Sequence, residues 1–99
     1  MNEIYKQWND FQNQRYPEGF GGEEIDGIDL TELDSSIAGC VSTFISSGEK
    51  LDPERIKILK NCVSDLEKVI QKIRKEGKSY FSNLHKLGNL VLIQVSNGS

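Results

Sequence analysis

One alternation runs through the C-terminal half of this chain. Ile56, Leu59, Val63, Leu66, Ile70, Ile73, Gly77, Tyr80, Leu84, Leu87 and Val91 follow one another at steps of three and four residues without a change of phase. That period puts every one of them on a single helical face, whereas a strand would repeat every two residues. Lys57, Lys60, Ser64, Glu67, Lys68, Gln71 and Lys75 fill the other faces, giving a narrow apolar seam and a wet back. The pattern allows one long helix or two. A continuous helix passes through Gly77 at a cost of about 1 kcal/mol relative to alanine. Its far half would have nothing to pack against within 99 residues, so such a helix should pair with a second copy. The run Glu76-Gly77-Lys78-Ser79 reads instead as a stop and a new N-cap, and the expectation is a break there. Leu90 to Ile93 could form a short strand, but the sequence offers it no partner strand.

The start signals upstream are local and strong. Asp52 precedes Pro53, which at the first helical position loses no hydrogen bond, and Leu51 with Ile56 makes a hydrophobic staple. Asp29 followed by Glu32 has the spacing of a capping box, and Ile28 with Leu33 makes another staple. Leu30, Leu33, Ile37, Cys40 or Val41, and Phe44 continue that helix, and Gly48 ends it. The short link from Gly48 to Leu51 makes these two helices antiparallel neighbours. Cys40 and Cys62 then lie roughly 10–14 Å from the turn, in position to face each other, and are expected as free thiols. A first helix is expected from about Glu3 to Arg15, capped by Asn2 and stopped by Pro17, with Ile4, Trp8, Phe11 and Arg15 on one face and Tyr5 widening it. The expected fold is an all-α, antiparallel, up-and-down four-helix bundle spanning residues 1–99 as one domain. The alternative is three helices, the last continuous through Gly77.

Residues 17–28 show neither period. Four of these twelve residues are glycine and four are acidic, so the expectation is a long Gly-rich acidic loop. Charge is uneven along the chain. Residues 1–36 carry two bases against nine acids, and residues 37–99 carry ten bases against six acids, giving −3 in all. Either the acids face a basic partner or the two halves complement each other inside the fold. The N-terminus lacks a basic region followed by an apolar run, and two cysteines are too few for a secreted disulfide scaffold, so a cytoplasmic location is the default expectation.

Chemical motifs fail on inspection. Gly77-Lys78-Ser79 resembles the end of a P-loop, but Lys72 stands where the motif needs its first glycine and a helix precedes it instead of a strand. Gly19, Gly21 and Gly22 complete no dinucleotide fingerprint. An EF-hand register centred on Gly27 would place Gly22 and Leu33 at the first and last ligand positions, and neither can bind calcium. Two cysteines and the single histidine, His85, have no zinc spacing. No metal or cofactor is expected, and no carboxylate pair has the apolar surroundings that would set up an acid and a base.

The favoured expectation is a non-enzymatic protein-interaction module of inhibitor, immunity or adaptor type. Its acidic surface, drawn from residues 18–34, would face a basic protein partner, with Phe20 and Ile25 as apolar anchors and Glu23, Glu24 and Asp26 as the charged rim. Phe20 and Ile25 have a blander reading, in which they fold back over an open end of the bundle. A first alternative is a nucleic-acid accessory protein using Lys68, Lys72, Lys75 and Lys78, the first three on one helical face with Tyr80 and Phe81 just beyond, although the pI of 5.1 argues against it. A second is a structural homodimer along the long seam. No membrane partner is expected, since Leu87 to Val95 is far shorter than a bilayer span.

Overall fold

A computed structural model describes residues 3–97. Four helices form a small all-α bundle: α1 (Glu3–Gln12), α2 (Leu30–Ser46), α3 (Pro53–Val69) and α4 (Lys75–Asn97). A hairpin of two-residue strands, β1 (Glu24–Ile25) and β2 (Ile28–Asp29), precedes α2. Helices α2, α3 and α4 pack on one another, and α1 lies along α4. Gly88 lets α3 and α4 approach closely, since a methyl there would come within 2.7 Å of Val63. The core is continuous and holds Ile37, Val41, Phe44, Leu59, Leu66, Leu84 and Val91 at its centre.

The local signals act as physics requires, with corrections. Asp29 caps α2, its Oδ1 accepting from the backbone N–H of Thr31 (2.9 Å) and of Glu32 (3.1 Å). Gly48 takes φ +75° after α2, and the N–H of Glu49 donates to the Phe44 carbonyl, the closure that left-handed residues permit. Asp52 stands at the N-cap of α3 but makes no capping bond; its carboxylate takes Arg55 at 3.1 Å instead. Helix α1 ends at Gln12, short of Arg15, which is exposed; the turns at Asn13 and Gln14 close on Asp10 and Phe11 three residues back. The Asn2 cap lies outside the described residues.

The break between α3 and α4 falls five to nine residues before Ser79. Residues Ile70–Lys72 form a 3-10 turn, Ile73 is extended at ψ 136°, and α4 begins at Lys75. Gly77 is therefore inside the first turns of α4 and stops nothing. It is buried because the Phe20 ring sits on it: a methyl at Gly77 would lie 2.6 Å from Phe20 Cζ. Leu90 to Ile93 are helical. The two thiols are free and staggered: Cys62 lies beside Ser36, one turn before Cys40, while Cys40 approaches the Arg55 carbonyl two turns before Cys62.

Candidate functional site: an acidic cleft beside the hairpin

The segment read as a loop is tied down over much of its length. Asp26 and Gly27, at φ +54° and +80°, form the two-residue turn that joins β1 to β2, and Leu30 donates to Glu23 beyond the paired residues. Phe20 is wholly buried against Gly77 and Phe81, so it is not an exposed anchor. Arg74 lies over the Phe20 ring at 4.4 Å, donates to the Gly19 carbonyl and pairs with Glu23 at 3.2 Å. The Tyr16 hydroxyl donates to the Phe20 carbonyl and shares a hydrogen with Thr31. Ile25 is half-buried and packs on the core. Asp26 pairs with Lys72.

The predicted acidic rim and the predicted basic stripe thus meet each other. Glu23 and Asp26 are engaged by Arg74 and Lys72, so the charge asymmetry of the two halves is in part satisfied within the fold. Glu3 with Lys86 adds a looser link of the same sense at 3.9 Å. Lys68, Lys72 and Lys75 do not share one helical face, because Lys68 lies on α3, Lys72 in the 3-10 turn and Lys75, like Lys78, on α4. Lys68 is drawn to Asp65 at 3.8 Å, and Lys78 reaches the Gln71 carbonyl at 3.5 Å.

Of the predicted rim, Glu24 remains outward, and it borders a concavity. A cleft of about 350 Å³ opens between the hairpin, α2 and α3. Its acidic lining is Glu24, Asp29, Glu32 and Asp65; Ile28 and Leu33 give it an apolar side, and Ser36 and Cys62 complete it. No base lines it. Asp29 is committed to its cap, and Asp65 shares Lys68, but Glu24 and Glu32 have no cationic partner among the described residues. Burial, and then the Asp65 and Glu32 carboxylates, push the Cys62 thiol up against a lowering hydrogen bond with Ser36, so it keeps its proton at neutral pH.

Asp65 and Cys62 escaped the sequence reading, although the antiparallel register held the clue. Ser36 of α2 and Cys62 of α3 line the cleft together, and one turn earlier on α2 Glu32 then comes level with Asp65.

A second polar cluster joins α2 to α4. Tyr80 donates to Asp34 at 2.6 Å among the rings of Phe11, Tyr16 and Phe81. Burial raises Asp34 above the usual carboxylate range, opposed by that hydrogen bond, and burial followed by Asp34 pushes Tyr80 up. His85 lies 3.4 Å from Glu67 on the solvent side. Among the described residues no group of three or more His, Cys, Asp or Glu side chains could hold a metal ion, and no helix is long and apolar enough to cross a membrane. Comparison with protein-family models, with curated proteins and with solved structures finds no match.

Proposed function

We propose that this chain is a non-enzymatic protein-interaction module that takes a basic segment of a partner protein into the acidic cleft. The observation that carries the reading is the cleft's lining: four carboxylates, only one of them paired with a cation among the described residues, around an apolar wall. A lysine or arginine side chain suits that shape, because its aliphatic stem can lie on Ile28 and Leu33 while its head meets Glu24 and Glu32. The surface differs from the one expected from sequence. Glu24 is retained, Asp29 and Glu32 come from the same stretch 18–34, Asp65 joins them from α3, and Phe20, Glu23 and Asp26 serve the fold.

The test is a titration of the isotopically labelled protein with short oligo-lysine and oligo-arginine peptides, followed by amide chemical shifts. Shifts should centre on residues 24, 28–36 and 62–65, weaken with added salt, and vanish for the lysine-acetylated peptide. The double variant Glu24→Gln/Glu32→Gln should lose the response while keeping its fold. Shifts scattered over the whole surface, or none at millimolar peptide, would refute the reading.

A further inference from the structure

The break between α3 and α4 has no local cause. Helix breaks normally trace to proline, glycine pairs or an inserted group. Residues 70–74 are Ile-Gln-Lys-Ile-Arg, without proline, glycine or positive φ. The heptad phase runs straight through, from Leu66 and Ile70 to Gly77 and Tyr80. What holds the chain bent is tertiary, and it comes from the segment before α2. Asp26 takes Lys72, Glu23 and the Gly19 carbonyl take Arg74, and the Phe20 ring occupies the space above Gly77. These contacts engage both residues flanking Ile73 and the first turn of α4.

The geometry points to a hinge that exchanges α4 between two copies of this chain. With residues 19–26 seated as a strap, α3 and α4 fold back on each other in one molecule. With the strap released, residues 70–74 become α-helical and fuse α3 to α4. The apolar face of α4, with Phe81, Leu84, Leu87 and Val91, then leaves its own core and fills the same place in a second copy. Every contact that α4 makes with α1, α2 and α3 is remade across the pair, so the two states differ mainly at the hinge and strap. This is why a second copy is the occupant: no other partner offers a surface already shaped to α4. The fused helix from Pro53 to Asn97 would run roughly 65 Å at 1.5 Å per residue, against a longest extent of 37 Å for the single compact chain.

Gly77→Ala tests the hinge with one methyl group. It collides with the Phe20 ring and at the same time favours helix through the junction. At high micromolar concentration the variant should show a dimer mass by light scattering, undiminished helical circular dichroism, and a maximum dimension by small-angle scattering near the fused-helix length. Adding Lys75→Pro should return it to a monomer. Proline at the first position of α4 suits the bent chain but breaks a continuous helix. Wild-type protein refolded from denaturant at the same concentration should yield the same dimer in smaller amount. A Gly77→Ala protein that stays monomeric, whether folded or unfolded, overturns the proposal, and so does a dimer that survives Lys75→Pro.

Discussion

Replacing Phe20 with alanine removes a ring that has no exposure to solvent, from a segment with little regular structure of its own. Burying and then deleting a phenylalanine in a packed interior costs about 3–5 kcal/mol, the transfer loss plus the cavity left behind. The Arg74 guanidinium over the ring adds about 0.5 kcal/mol, discounted because that side chain is half exposed. A domain of this size has a total stability on the order of 5–15 kcal/mol, so the change removes roughly a quarter of it or more. At about 4–8 °C per kcal/mol, the melting temperature should fall by roughly 15 °C or more. The assay is thermal and urea denaturation followed by circular dichroism at low micromolar concentration, with Arg74→Ala as the control. Arg74→Ala should cost about 1 kcal/mol or less, since it loses only solvent-exposed contacts. If Phe20→Ala loses under about 1 kcal/mol, or no more than Arg74→Ala, the ring is not what holds the segment down and the reasoning fails.

Three other outcomes are expected. Asp29→Ala should destabilise by about 1 kcal/mol in urea, because two N–H groups of α2 lose their acceptor; an unchanged midpoint would remove the cap from the account. Asp34→Asn keeps an acceptor for Tyr80 and removes a carboxylate whose pKa is raised on folding, chiefly by burial. A raised acid contributes most below its unfolded pKa and loses that contribution as pH rises through the folded value, so wild type should gain on the variant as pH falls from 7 to about 4; urea midpoints moving the other way would contradict this. Lys72→Met should change stability by less than about 1 kcal/mol, since the pair with Asp26 is more than half exposed on both sides; a larger loss by calorimetry would mean the ion pair, and not Phe20, is the principal tie.

Helix starts were legible wherever a cap, a proline or a staple acts within five residues, as at Asp29 and Pro53. The hairpin was also written locally. Ile25-Asp26-Gly27-Ile28 places a turn dipeptide between two apolar residues, but two-residue strands are too short to show a period. The position of the α3–α4 break was not legible, because nothing in Ile70–Arg74 opposes a helix and the contacts that bend it come from residues more than forty positions earlier. Gly77 misled for the same reason: its small size serves a ring from another segment. Of the expected surface, Glu24 kept its outward place, whereas Glu23 and Asp26 were claimed by bases whose proximity only the folded chain creates. The cleft's remaining carboxylates sit at the end of β2 and on two helices, and needed the relative register of those helices.

The span of the strap's ties has a consequence for the order of folding. Helices α2, α3 and α4 follow one another through short links, so their mutual contacts close small loops early and at low entropic cost. The bonds from Asp26 to Lys72, Glu23 to Arg74 and Gly19 to Arg74 join residues 46, 51 and 55 positions apart, and Gln14 meets Asn83 across 69. Because the strap is what holds α4 folded back on α3, those closures come together with the docking of α4, not after it. The pairing of α2 with α3 needs neither, so it forms first, and the long closures made by the N-terminal third carry most of the entropic cost that follows.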